Sequence, residues 1–258
     1  MSGHSKWKQI KHKKGANDVK KGAMFSRHFK LIEIAAKKGG GDIAMNPSLK
    51  QAIDKAKADC NMPSANIERA VKKGIGESKD GVESVEIMYE GFGPESVALY
   101  IQTVTDNKNR TFNSLKLMLD KNGGHLGSAG TIGWMFKQSG YMTLACGNGA
   151  AGGANSASAD EIELKAIDAG ASDVKADGNL IEIYTEPNQL IQVKKSLENA
   201  GLKPENAELT FVPANIVKIT DAEKAKRILD VLDMVEENED VVNVYSNFDI
   251  DAAVMEKL

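Results

Sequence analysis

The periodicity of the apolar residues changes once along this chain, and that change constrains the fold more than any other feature. From Asn17 to Gly76, after an arm without helical period, they recur at helical spacing. From Glu77 onward they alternate or run continuously, as strands require, with helical stretches in between. A period of 3.6 and a period of 2 bury different faces. The chain is therefore expected to be α+β, with a small helical head ahead of sheet-containing domains.

Within the head, Asn17 and Asp18 suit a helix start, as a cap and as an acid at the positive end of the dipole. Phe25, Phe29, Ile32 and Ala36 then form one apolar stripe to about Lys38, and Gly39-Gly40-Gly41 ends it. Asn46-Pro47 starts a second helix with Leu49, Ala52, Ile53, Ala56 and Cys60 on its buried side. After the short break Asn61-Met62-Pro63, Ser64 is expected to cap a third helix that carries Ile67, Ala70 and Val71 and closes at Gly74. The tight turn is compatible with a helix-turn-helix, which would bring Arg69, Lys72 and Lys73 near DNA. A recognition helix reads bases with its first residues, however, and here those are Ala65, Asn66 and Glu68. Two helices on a short turn also occur in any bundle, so both readings stand.

Beyond residue 77 the pattern predicts strands over 84–89 and 97–104, with Gly91 to Pro94 as the turn between them. A helix over 109–121 carries Phe112, Leu115 and Leu119 on one face. Short strands follow at 132–136 and from Tyr141 to Ala145, and then the Gly/Ala/Asn/Ser-rich loop Gly147–Ser158. Helices at 161–169 and 189–200 alternate with strands near 173–175, at 180–184 and at 208–212. From Tyr141 to Val212 the order is βαββαβ, the ferredoxin-like arrangement. Removing that unit leaves ββαβ before it and βαβ after it, a second ferredoxin-like order with an extra leading strand. The expected fold is an N-terminal three-helix domain followed by two ferredoxin-like α+β domains, the third inserted into the second. Its boundaries are 1–76 for the basic arm and helical domain, 77–136 plus 213–258 for the α+β domain, and 137–212 for the insertion.

Charge divides along the same line. Residues 1–76 hold 17 bases and 6 acids, a net of 17 − 6 = +11, so the rest of the chain carries −3 − 11 = −14. From His4 to Lys14, seven residues are Lys or His, with Trp7 and Ile10 among them. A basic block with an interleaved aromatic is the footprint of a polyanion binder. Lys6, Lys8, Lys11, Lys13 and Lys14 suit phosphates, and Trp7 and His12 suit stacking on an unpaired base. Lys20, Lys21, Arg27, Lys72, Lys73 and Arg110 are candidate supporting contacts. The acidic run Glu236-Glu237-Glu239-Asp240 ends a predicted helix, either as a solvated end or as a docking point for the basic head.

Enzymatic chemistry finds little footing. The four histidines lack metal-ligand spacing, and no nucleophile elbow, zinc-protease helix or phosphate-loop signature occurs. Gly147-Asn148-Gly149-Ala150-Ala151-Gly152 matches G-x-G-x-x-G, but Gly153 to Ser158 prolong the loop where a dinucleotide site needs a helix. The glycines of Tyr89 to Pro94 and Gly123 to Gly130 serve either tight turns or close approach to a phosphate. Cys60 and Cys146 read as free thiols of a reducing compartment. With no apolar h-region and no membrane-length apolar run, the expectation is a cytoplasmic protein without cofactor or membrane partner.

Several segments are specific in combination: Gly3-His4-Ser5-Lys6-Trp7-Lys8, Ile10-Lys11-His12-Lys13-Lys14, Asn61-Met62-Pro63, Tyr89-Glu90-Gly91-Phe92-Gly93-Pro94, Thr105-Asp106-Asn107-Lys108-Asn109-Arg110-Thr111 and Gly123-Gly124-His125-Leu126-Gly127. They resemble the YebC/PmpR family, whose mitochondrial relatives are translational activators of a cytochrome oxidase subunit. The resemblance runs from Ser2 to about Tyr245 and implies three domains and a non-enzymatic role. It also implies one of two functions: a DNA-binding transcriptional regulator, or a ribosome-associated factor that helps translation through difficult sequences such as proline runs. The expected partners are thus ribosomal RNA and the ribosome, with DNA as the alternative, engaged by a monomer.

Overall fold

Three helices open the described part of the chain: α1 (Asp18–Gly39), α2 (Pro47–Cys60) and α3 (Ser64–Gly74). The computed structural model describes residues 18–77, 84–146, 157–177 and 180–255. The strands β1 (Val85–Phe92) and β2 (Ala98–Thr105) come next, then α4 (Lys108–Lys121) and β3 (His125–Leu126). The stretch β4 (Phe136–Ala145), α5 (Ala159–Asp168), β5 (Asp173–Asp177), β6 (Leu180–Thr185), α6 (Leu190–Asn199) and β7 (Glu205–Pro213) follows. The chain closes with β8 (Val217–Ile219), α7 (Ala222–Glu236), β9 (Val241–Ser246), β10 (Phe248–Ile250) and α8 (Ala252–Met255).

The head's core is the one its periodicity specifies. Ile32, Ala36, Leu49, Ile53, Ala56, Met62, Ile67 and Ala70 are buried together, with Phe25, Phe29, Ala52, Cys60 and Val71 packed around them. Asn46 caps α2 by accepting from the Leu49 N–H at 3.1 Å, and its amide also donates to the Ala35 and Gly40 carbonyls, tying α2 to the end of α1. Ser64 does not cap α3. The helix begins at Ser64 itself, and Pro63 holds the cap position with no side-chain hydrogen bond. Its far end lies so close to α1 that a Cβ on Gly74 would overlap the Glu33 carbonyl oxygen.

The described residues form two compact units joined at Gly133/Trp134 and Ile216/Val217. The larger unit holds the head and one antiparallel sheet of order β3-β1-β2-β9. The extra leading strand β1 takes an interior place in this sheet, and β8 instead pairs in parallel with β10. Helices α4 and α7 cover one sheet face over Leu99, Ile101, Leu115, Leu119, Leu229, Leu232, Val244 and Phe248. On the other face α1 packs Leu31 and Ile34 against Val104 and Val242. Beside that contact, Glu86, Gln102 and Asn243 form a hydrogen-bonded row across the sheet, and Lys38 pairs with Glu86. β1 runs through Gly91 to Phe92, so the turn falls later than the glycines suggest, in a 3-10 turn at Pro94–Ser96.

In the smaller unit the sheet order is β5-β6-β4-β7, all antiparallel, which is the ferredoxin-like order. Its core is Met142, Leu144, Ile162, Ala166, Ile181, Ile183, Val193 and Leu197, between the sheet and α5 and α6. The two short strands expected at 132–136 and 141–145 are replaced by a 3-10 turn at Gly133–Met135 and one continuous β4. The polar run Lys137-Gln138-Ser139-Gly140 reads as a break, yet β4 pairs with β7 all through it, and from Gly140 onward with β6 as well.

Candidate nucleic-acid interface

The arm carrying Lys6, Trp7, Lys8, Lys11, His12, Lys13 and Lys14 lies outside the described residues, as do residues 147–156 with their glycine motif. Lys20 and Lys21 fall in the first turn of α1. The remaining candidates separate into bases turned inward and bases turned outward.

Arg27, Lys30 and Arg110 converge on the segment that follows α7. The Arg27 guanidinium donates to the Glu236 carbonyl at 2.6 Å. Lys30 donates to the Glu239 carbonyl and to Asp240 Oδ1, the latter at 2.9 Å. Arg110 Nη2 reaches both Asp240 oxygens at 3.1 and 3.0 Å and Asp106 at 2.9 Å, and the Thr111 hydroxyl donates to Asp240 Oδ2 at 2.7 Å. Burial of the Asp240 carboxyl works to raise its pKa, but the hydrogen bonds from Lys30, Thr111 and Arg110 prevail and hold it below the usual carboxylate range. The acidic run thus docks on the basic head. Its Glu236 and Glu239 contribute backbone carbonyls, and Asp240 contributes its charge. Asp240 was legible only as one member of that run, and Lys30 only as a base off the apolar stripe.

Arg110, a candidate supporting contact, lies in the first turn of α4. The cap is Asn107, which accepts from the Arg110 N–H at 3.0 Å. The Arg110 side chain is held by two aspartates, and the Asp240 hydrogen bond and charge push its pKa further up.

Lys73 pairs with the buried Glu33 at 3.1 Å and donates to Ser84 Oγ at 3.2 Å. Lys72 is exposed on the outer face of α3, with Lys50 and Lys57 exposed on α2. The Arg69 guanidinium lies 5.2 Å from the centre of the Phe29 ring. The outer face of α3 also exposes Ser64, Ala65, Glu68 and Arg69, with Asn66 half-buried.

The end of the Gly123 to Gly130 loop and the residues just after it do grip an anion with their backbone, and that anion is internal. The N–H groups of Gly130, Ile132 and Gly133 donate to the Glu90 carboxylate at 2.8, 2.6 and 2.9 Å. Burial would raise the Glu90 pKa, and these amides more than reverse it. Gly91 and Gly124 are required by close strand approach, since a Cβ on Gly124 would overlap the Phe92 carbonyl and one on Gly91 would crowd the His125 carbonyl. Phe112, expected in the core beside Leu115 and Leu119, is instead 42% exposed. Among the described residues, no group of three or more His, Cys, Asp or Glu could hold a metal ion, and no helix is long and apolar enough to cross a membrane.

Two family models match, one described as the TACO1/YebC protein N-terminal domain over residues 5–77 and one as the TACO1/YebC second and third domain over residues 84–248. The chain belongs to the TACO1/YebC family. It is similar to a "probable transcriptional regulatory protein" of Halothermothrix orenii, 46% identical over 258 residues covering 100% of this chain and 99% of the relative. A protein of the same description from Geotalea uraniireducens is 45% identical over 258 residues, with both chains covered in full. Among solved structures it is similar to a conserved hypothetical protein from Aquifex aeolicus, with a TM-score of 0.78, 38% identity, and coverage of 91% of this chain and 92% of that one. The family assignment thus spans both the head and the sheet-containing domains.

Proposed function

We propose that this TACO1/YebC-family chain is a non-enzymatic nucleic-acid-binding factor, cytoplasmic and monomeric, that acts on ribosomal RNA as a translation factor. The observation that carries the nucleic-acid part is the segregation of charge, +11 over residues 1–76 against −14 over the rest. Arg27 and Lys30 of the head are spent as anchors to the acidic sheet domain and Lys73 on Glu33 within the head, which leaves the arm and the outward Lys50, Lys57 and Lys72 among its polyanion-facing charge. A Lys/His/Trp arm suits folded RNA with unpaired bases.

The second reading is a DNA-binding transcriptional regulator. The names of the relatives favour it over the translational one. The short Asn61-Met62-Pro63 turn between α2 and α3 is its structural support.

One experiment separates them: sedimentation with ribosomes, with and without residues 2–16, alongside titration of duplex DNA. Co-sedimentation that is lost with the arm supports the RNA reading. A specific-to-non-specific ratio above about 10³ on one duplex, without ribosome binding, replaces it with the DNA reading. If about six phosphates are neutralised, affinity for duplex should fall about 10³-fold between 50 and 200 mM salt. A flat salt response would remove both readings.

A further inference from the structure

An open cleft of about 430 Å³ lies between the edge of β1, helix α4 and the loop after β3. It is lined by Ile87, Tyr89, Leu126, Phe112, Lys116 and Ser128, among others. Phe112 is 42% exposed, and its ring centre stands 6.3 Å from that of Tyr89 at an angle of 46°. Tyr89 is fixed in turn by donating its hydroxyl to the Lys108 carbonyl at 3.1 Å. One turn to either side of Phe112 on α4, Lys108 and Lys116 are exposed.

We propose that this cleft binds one unpaired nucleotide, with the base stacked on Phe112, the flanking phosphates on Lys116 and Lys108, and the base edge toward Ser128. The inference rests on the nucleic-acid reading above and adds a second contact, remote in sequence from the arm. Three observations point to this ligand. An exposed aromatic with a lysine one turn away on each side matches the flat face and the flanking charge of a nucleotide. The acid that lines the cleft, Glu90, is satisfied by the amides of Gly130, Ile132 and Gly133, so the charge left to a ligand is that of Lys116. Along β1 the Glu90 carbonyl accepts from Gly127, and Gly91 and Phe92 pair with β3, which leaves a peptide strand only the short edge from Val85 to Tyr89.

The test is fluorescence anisotropy on the full chain with a labelled 12-nucleotide single-stranded RNA and a duplex of the same sequence. Phe112→Leu should weaken the single strand about tenfold and leave the duplex unchanged, whereas Phe112→Tyr, which keeps a ring, should stay within about twofold. Lys116→Gln should lower the salt slope by about one. An unchanged single-strand affinity in Phe112→Leu, or an equal loss on duplex, overturns the cleft while leaving the nucleic-acid reading intact. A wild-type chain that binds neither ligand removes both. An extended peptide found in the cleft that RNA does not displace also overturns it.

Discussion

Asp240 gathers Lys30, Arg110 and Thr111 onto one buried carboxylate, and removing it would leave Lys30 with the Glu239 carbonyl and Arg110 with Asp106. Asp240→Ala should cost about 3 kcal/mol by urea denaturation, the low end for a broken buried pair because Arg110 is half exposed. The pH dependence has a definite sign. With its folded pKa lowered, Asp240 contributes stability in full above its unfolded pKa of about 4, and that contribution is lost as pH falls through the lower folded value. Asp240→Asn should therefore flatten the acid limb of stability below about pH 4. Glu90, lowered in the same direction, keeps part of that limb in the variant. At this scale the sequence showed which residues are charged but not where each charge is used. Arg27 and Arg110 look as available as Lys72 until the fold brings the end of α7 against them, a meeting of residues more than a hundred positions apart.

Helix α1 is buried on two sides, which single-stripe periodicity does not reveal. Ile32 faces α2 and α3, while Ile34 faces the sheet through Val104 and Val242. Truncating either should cost about 2–4 kcal/mol, but at different places. Ile32→Ala should speed native-state hydrogen exchange across α2 and α3. Ile34→Ala should leave those helices protected and speed exchange in α1 and β9; identical exchange maps for the two variants would contradict this division. The same two-sidedness explains why the head, read from its own stripes as a separate domain, falls into one compact unit with the sheet. β4 misled the sequence reading for a related reason. Gly140 looks like a turn, but the β6 strand and α6 press Thr185 and Leu190 onto it so closely that a Cβ would overlap them. The helices and most strands were legible because their apolar faces repeat locally.

At the scale of the whole molecule, the stretch 134–216 behaves as an insertion whose ends meet. β4 begins and β7 ends as paired strands, with Phe136 opposite Pro213 and the Ala214 N–H donating to the Met135 carbonyl at 2.7 Å. Entry and exit are therefore adjacent, and the host sheet β3-β1-β2-β9 is completed by strands on both sides of the interruption. The buried cluster of this unit, from Met142 to Leu202, draws on residues of the unit alone. A segment with its own core and joined ends can fold alone. Residues 134–216 expressed alone should unfold in one cooperative transition, with a stability of about 5 kcal/mol, the lower end for a small domain. Dispersed amide resonances at their full-chain positions would support this. A collapsed spectrum without a thermal transition would instead mean that the insertion depends on the host unit, and the three-part division drawn from the sequence would have to be redrawn.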